Sequence, residues 1–298
     1  MLEIGSAMSK RMLITGATGF IGRYVAEEAL RRGYRVTGTD RRPSSARGID
    51  FVEADIRDKA RMSEIMTDQD CVVHLAAITS NVEFIKNPAE CYDINANGFL
   101  NVIDAAARNG CKRFVYASSA AVYLDGFSED TVIELRKQGN HYAKSKLMNE
   151  MVAKSYEHIH TMRATGLRFF NVYGNGENAK GDYASIVTIF LKARKNGEPL
   201  VVYGDGKQAR DLIHVTDAAR VTVNLVEKGE EDLYNVGTGA STSYTSIARM
   251  IDRDSIKYVP NPLPDYQYYT RADASRLRRA LGDYEFVDLE KGITMLAV

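Results

Sequence analysis

The sequence predicts an α/β protein built on a doubly wound parallel sheet, and three observations carry that expectation. Short apolar runs alternate with stretches of helical spacing through the first half of the chain, the pattern of repeated strand–helix–strand units. The runs are continuously apolar, as in CVVHLAA (71–77), which strands buried on both faces require. The first run, within RMLITGATGFIG (11–22), passes into a turn with glycines at 16, 19 and 22. A strand, a glycine turn and a helix start make an anion site, because the first helical turn has unpaired N–H groups and the positive end of the dipole. Gly16 lets the chain turn, Gly19 lets the backbone approach a pyrophosphate, and Gly22 lets the helix pack close to the strand.

Met12, Leu13 and Ile14 form the first strand, and Val25, Ala26, Ala29 and Leu30 share one face of the next helix. A second strand, Tyr34–Thr39, ends in Asp40, at the right distance for a carboxylate that hydrogen-bonds an adenosine ribose. That carboxylate repels a 2′-phosphate and favours NAD, while Arg41 and Arg42 beside it are suited to the phosphate of NADP. A third strand, Phe51–Ala54, ends in Asp55–Ile56, placed to meet the adenine. Lys59–Met66 reads as a short helix. The strand at 71–77 ends in Ala76–Ala77, whose small side chains leave room for the cofactor phosphates, and His74 within it is expected to be a core residue. Asn87-Pro88 opens a long helix, Pro88–Asn109, with proline in its first turn and Gly110 as its cap. Asn95 within that helix is either solvated or tied to neighbouring backbone.

Arg113–Ser119 is the next strand, with Ser118 and Ser119 at its carboxyl end, where such sheets bind ligands. The polar segment Tyr123–Asn140 has few apolar anchors and is a candidate lid. His141–Glu150 then opens an amphipathic helix running to about His160. Tyr142 and Lys146 are four apart and share a helix face. A phenol ionises near pH 10 unaided; a neighbouring ammonium, with the positive nicotinamide ring, is expected to bring it toward neutrality. Tyr142 would then take a hydroxyl proton as hydride leaves, with a serine hydroxyl from the preceding strand orienting the same oxygen.

The 298 residues suffice for one large domain or two smaller ones, and 39 basic residues balance 39 acidic ones. That balance argues against nucleic acid or an anionic membrane as a main partner, and no apolar run is long enough to cross a bilayer. Three dispersed cysteines and five scattered histidines give no metal-ligand spacing and suggest a reducing compartment. The opening MLEIGSAMSK lacks a signal peptide's apolar core, and Met8 is an alternative start. A cytoplasmic location is expected.

TGATGFIG (15–22), Asp40, ADIRD (54–58), HLAA (74–77), NANG (95–98), YASSAAVY (116–123), YAKSK (142–146), RFFNVYG (168–174), VVYGDGKQARDLIHVTD (201–217) and YNVGTG (234–239) stand in this order. This series resembles the extended short-chain dehydrogenase/reductases, the NAD-dependent nucleotide-sugar epimerase/dehydratase group, over nearly all of the chain. The resemblance implies a Rossmann-type domain over residues 1–173, with a returning segment at about 212–235. A smaller substrate-binding lobe is expected from 174–211 and 236–298. It implies a catalytic set of Ser119, Tyr142 and Lys146, with Lys146 also on the nicotinamide ribose. With the reading above, the cofactor set is Gly16, Gly19, Phe20, Ile21, Gly22, Asp40, Arg41, Asp55, Ile56, Leu75, Ala76, Ala77, Asn95, Ser118, Tyr142 and Lys146. Asn171 and Arg210 are expected on the nucleotide diphosphate, as a guanidinium grips phosphate oxygens in a fixed fork; the alternative for Arg210 is a salt bridge to Asp211. Ser119, Asn171, Lys180 and Arg210 make up the substrate-binding set.

Ala120 and Ala121 stand where the family's dehydratases and decarboxylases carry acidic residues, which argues against elimination and decarboxylation. The best general match is to the UDP-glucose 4-epimerases. KGDYAS (180–185) and YQYYTRADASRLRRALG (266–282) look instead like the ADP-heptose 6-epimerases, where a lysine matching Lys180 serves as a second acid/base. Leu263, Pro264 and Asp265 stand where a second diphosphate-binding arginine is usual, and Leu124 and His141 also depart from the family pattern. A dehydrogenase or reductase that releases reduced cofactor is the alternative within the fold. The helices Pro88–Asn109 and Tyr142–His160 resemble a pair that forms a four-helix dimer interface in the family, which implies a homodimer.

Overall fold

The computed structural model describes residues 9–43, 46–124, 127–134, 136–177, 184–262 and 267–296. Its main sheet uses β1 (Arg11–Thr15), β2 (Arg35–Asp40), β3 (Asp50–Glu53), β4 (Cys71–His74), β5 (Arg113–Ser119), β6 (Arg163–Phe169) and β10 (Leu233–Val236). All seven run parallel in the order β10-β6-β5-β4-β1-β2-β3. The helices in this part are α1 (Phe20–Arg31), α2 (Lys59–Ile65), α3 (Asn81–Lys86), α4 (Pro88–Tyr92), α5 (Phe99–Arg108), α6 (His141–Ile159) and α8 (Val215–Lys228). One apolar core, containing Met12, Ile14, Val25 and Ala29, covers one face with α1 and α8; the other, containing Leu13, Val72, Val102 and Phe114, lies under α2 and α5. Strand order reverses between β1 and β4, so a crevice opens beyond their carboxyl ends.

A three-stranded sheet joins β7 (Asn171–Tyr173), β9 (Ala209–His214) and β11 (Ser241–Ser243), and β8 (Leu200–Tyr203) pairs with β12 (Ile256–Val259). Helices α7 (Ile186–Lys195), α9 (Tyr244–Ile251), α10 (Ser275–Leu281) and α11 (Leu289–Leu296) complete the described elements. The stretch Leu212–Val215, expected in the nucleotide lobe, belongs mostly to β9, which pairs with β7 and β11 and not with the main sheet.

The expected helix Pro88–Asn109 is interrupted: α4 and α5 are separated by a π-helical turn over Asp93–Gly98. Such turns are rare and gather at functional sites. Helix α3, which periodicity did not reveal, starts on Ser80, whose hydroxyl accepts from Glu83 N at 3.3 Å; the S-x-x-E signal for it was present. The strand expected over 71–77 leaves the sheet after His74 because β1 turns away at Gly16. Leu75 N and Ala76 N still reach the Thr15 carbonyl and hydroxyl, at 3.1 and 3.3 Å.

Two glycines set how closely α1, β1 and β4 approach. Gly16 has φ of 70°, and a Cβ there would stand 2.7 Å from Ala76 N. A Cβ at Gly22 would collide with the Gly16 carbonyl oxygen. Gly22→Ala should therefore push α1 off the turn and cost about 1–3 kcal/mol, read as a lower urea midpoint; an unchanged midpoint would contradict this packing.

Candidate active site

The crevice end of β1 forms a cradle for an anion. Gly19 is the N-cap of α1 and makes no side-chain cap hydrogen bond, so a side chain does not compete there for the helix start. At the end of β2, Asp40 accepts from Thr18 Oγ1 at 2.6 Å and from Thr18 N at 3.3 Å. Phe20, Ile21 and Leu75 pack against the core beneath the cradle, and Ala76 packs on its other side. A cradle that Cβ atoms would fill, an open helix start and a carboxylate at the ribose position together fit a dinucleotide. At the end of β3, Arg57 grips the Asp55 carboxylate at 2.7 Å and holds it below the usual carboxylate range, with Arg41 at 3.9 Å. Ile56 is buried, in the space that the missing side chain of Gly98 leaves.

Asn95 is 2% exposed and ties down the segment after β4. Its Oδ1 accepts from Ile78 N at 2.8 Å, and its Nδ2 donates to Ile78 O at 2.9 Å and Ser145 Oγ at 3.1 Å. These bonds resolve the alternatives at Asn95 in favour of the backbone tie. Its amide is spent on that tie, so any effect on a cofactor passes through the Ile78 segment. His74 is a core residue as expected: its Nδ1 meets Thr15 Oγ1 at 2.8 Å, and burial pushes its pKa down to about 3.

Tyr142, Lys146 and Ser119 come together where α6 crosses the end of β5. The Ser119 hydroxyl faces the Tyr142 phenol and accepts from Ala121 N at 3.2 Å. Lys146 is 2% exposed, donates to the Ala117 carbonyl at 2.8 Å and stands 5.8 Å from the centre of the Tyr142 ring. Burial pushes the Tyr142 phenol above its ordinary value, and the Ser119 hydroxyl only partly offsets it. The expected fall toward neutrality is thus absent from the protein alone. The lysine head lies on Ala117, and the phenol sits where a charged form is poorly solvated. Burial also lowers Lys146 to about 8, against the opposing pull of Glu150.

Ser118 is not aimed at the crevice. Its hydroxyl donates to Glu150 Oε1 at 2.5 Å and is 2% exposed, because consecutive strand residues face opposite sides. The Asn140 side chain caps α6, accepting from Ala143 N at 3.1 Å, while Asn81 and Tyr92 hold His141. The segment expected to be a lid is anchored in its described part. Gln138 donates to the Ala121 and Val122 carbonyls, Glu129 accepts from Asn235 N at 2.7 Å, and Tyr123, Phe127 and Ile133 join a small apolar cluster with Phe170.

Asn171, on β7, donates to Asp211 O at 3.1 Å and Thr270 Oγ1 at 3.3 Å. Arg210 is 8% exposed, donates to the carbonyls of Ala209 and Gln267, and lies 5.5 Å from the Tyr244 ring centre. Its neighbour Asp211 faces the other side of β9 and accepts from Thr238 N, Thr238 Oγ1, Gly239 N and Ala272 N. The described contacts therefore do not support the Arg210–Asp211 alternative. Lys180 and residues 263–265 lie outside the described residues. Thr15, Thr18, Glu150 and Asp211 were not expected at the site from sequence. Only Glu150 left a signal there, the spacing of four that continues Tyr142 and Lys146.

Residues 12–237 match the model of the NAD dependent epimerase/dehydratase family, and the chain belongs to that family. It is 34% identical over 263 residues to a UDP-N-acetyl-alpha-D-glucosaminuronate decarboxylase of Bacillus cytotoxicus, covering 82% of this chain and 80% of that one. It is 31% identical to an ADP-L-glycero-D-manno-heptose-6-epimerase of Alkalilimnicola ehrlichii, covering 95% of each. Among solved structures it is similar to a UDP-glucose 4-epimerase of Thermotoga maritima with UDP-glucose, with TM-score 0.87, 27% identity, and 96% and 97% of the two chains covered. The chain is thus a Rossmann-type enzyme of a nucleotide-sugar epimerase/dehydratase family whose cofactor is NAD. Among the described residues no helix is long and apolar enough to cross a membrane.

The buried lysine yields a sign-defined pH effect. Its folded pKa, about 8, lies below the unfolded value of 10.5, so the unfolded chain binds more protons between those limits and stability rises with pH there. Relative to Lys146→Met, the wild type should gain about 3 kcal/mol of unfolding free energy from pH 8 to 10.5. Urea titrations across that range check it, and parallel curves for the two proteins would refute it.

Proposed function

We propose that the protein is a nucleotide-sugar epimerase that retains its NAD, acting on a UDP-hexose at a ring hydroxyl. The observation that carries the reading is buried Lys146, held on the Ala117 carbonyl beside the Tyr142 ring, with the Ser119 hydroxyl facing the phenol at the crevice. Bound NAD supplies reversible hydride acceptance at the sugar carbon. Gly16, Gly19 and Gly22 would hold its pyrophosphate and Asp40 its adenosine ribose. Tyr142 takes the proton of the substrate hydroxyl and later returns it, and Ser119 donates to the same substrate oxygen. Lys146 holds the nicotinamide ribose and adds positive charge beside the phenol. In the protein alone burial keeps that phenol protonated, so the charges of lysine and cofactor together are what release its proton. Asn171 and Arg210 stand together on the small sheet, where a diphosphate would meet them.

A turnover of the keto-sugar between two hydride transfers gives epimerisation with no net redox change. Decarboxylation of a UDP-uronate is the second reading, favoured by the likeness to the Bacillus cytotoxicus decarboxylase. Against it stand Ala120 and Ala121, in the turn directly after Ser119, which offer no acid or base. Heptose 6-epimerisation, favoured by the Alkalilimnicola ehrlichii relative, and a net dehydrogenase differ in substrate or in release of NADH. A homodimer fits the exposed Leu100, Met148 and Met151 on α5 and α6, which are 40%, 41% and 65% exposed. A cytoplasmic setting fits the three buried free cysteines.

Proton NMR of the purified protein with UDP-galactose and no added cofactor should show UDP-glucose appearing. Tyr142→Phe should lower that conversion by at least about 10²-fold while NAD stays bound. Carbon dioxide release from a UDP-uronate with no conversion of UDP-galactose would favour the decarboxylase reading. NADH accumulation would favour the dehydrogenase.

A further inference from the structure

Three residues of α6 spaced by four reach three successive residues at the end of β5. Tyr142 meets the Ser119 hydroxyl, Lys146 the Ala117 carbonyl, and Glu150 the Ser118 hydroxyl. Glu150 is gripped in turn by Arg168 through two hydrogen bonds, Nε–Oε1 at 2.9 Å and NH2–Oε2 at 2.7 Å. The pair is buried, with side chains 10% and 4% exposed. Across the sheet, Arg168 stands in register with Ser118 on β5 and with Asn235 on β10. Its NH1 donates to the Tyr123 hydroxyl at 2.9 Å, and that hydroxyl donates to Asn235 Oδ1 at 2.7 Å. One row of side chains thus runs over three strands under the catalytic helix.

A buried ion pair is a poor source of stability, since desolvation offsets the Coulombic gain. What a two-pronged guanidinium does secure is the geometry of the carboxylate it grips. We propose that Glu150 is a positioning residue for the chemistry above: locked between Ser118 and Arg168, it holds the end of β5 so that Ser119 faces Tyr142, and, one turn on from Lys146 on the same face of α6, it sets its carboxylate charge beside that buried lysine. This rests on the reading of Ser119, Tyr142 and Lys146 as the catalytic set. The other groups facing Lys146 are the Tyr142 ring on α6, the Ala117 carbonyl on β5 and His74 on β4, whose ring burial keeps neutral. Ser118 and Tyr116 of β5 and Arg168 of β6 face Glu150. Glu150 therefore supplies the carboxylate charge that opposes the loss of the lysine proton on burial.

Glu150→Gln keeps the shape and removes the charge. With the UDP-hexose that the wild type converts, kcat should fall about tenfold or more with KM little changed. The Lys146 Cε titration, followed by NMR of ¹³C-lysine protein, should move its midpoint to lower pH by about one unit. Ser118→Ala, which leaves the ion pair whole, should lower kcat without moving that midpoint. Glu150→Gln that folds with wild-type kcat and an unmoved midpoint overturns the inference. A lowered kcat with an unmoved midpoint overturns the charge role. Should Glu150→Gln fail to fold because Arg168 is left uncompensated, an unchanged kcat in Ser118→Ala overturns the positioning role. The lysine titration needs no substrate. If no nucleotide sugar is converted by the wild type, the epimerase reading fails alone, and an unmoved midpoint in Glu150→Gln still overturns this inference.

Discussion

Lys146 carries its ammonium at a position 2% exposed to solvent, and the geometry of the site results from keeping it there. A buried cation is stable only where hydrogen bonds and an opposing charge replace water. Here the Ala117 carbonyl supplies the hydrogen bond and Glu150 the charge. The same contacts dock α6 on the end of β5, which brings the Tyr142 phenol to the Ser119 hydroxyl. Charge, register and the geometry of the site are therefore one arrangement.

The opposite wall of the crevice is organised by close backbone approach. Gly16 lies against the Leu75–Ala76 backbone, and Gly22 lies against the Gly16 carbonyl. The π-helical turn presents Asn95 to Ile78 and leaves Gly98 as the bed for Ile56. Asn95 also reaches Ser145 on α6, so the segment after β4 and α6 share a fastener. Asp211 does similar service in the small sheet, where its carboxylate gathers Thr238, Gly239 and Ala272.

The relatives of this chain include both an epimerase and a decarboxylase. Ala120 and Ala121 are small and non-ionisable, and the turn that holds them is pinned by Gln138 through two carbonyls.

Local chemistry determined much of this protein in advance. The glycine turn, Asp40, the apolar strands, the core role of His74 and the Tyr142–Lys146 spacing are legible in sequence because each depends on neighbours within one turn or one strand. The interruption of the helix at Asp93–Gly98 was not legible, since the partners Asn95 finds within it, Ile78 and Ser145, lie outside that helix. Nor was the state of Tyr142: the sequence places a lysine four residues on, but that lysine is bonded to Ala117, and desolvation raises the phenol where proximity alone suggests a fall. Ser118 reads like Ser119 in sequence, yet strand alternation turns it to Glu150 and Arg168. Periodicity and turn chemistry are local, so the chain declares them; burial and hydrogen-bond partners between strands distant in sequence exist only once the sheet is assembled.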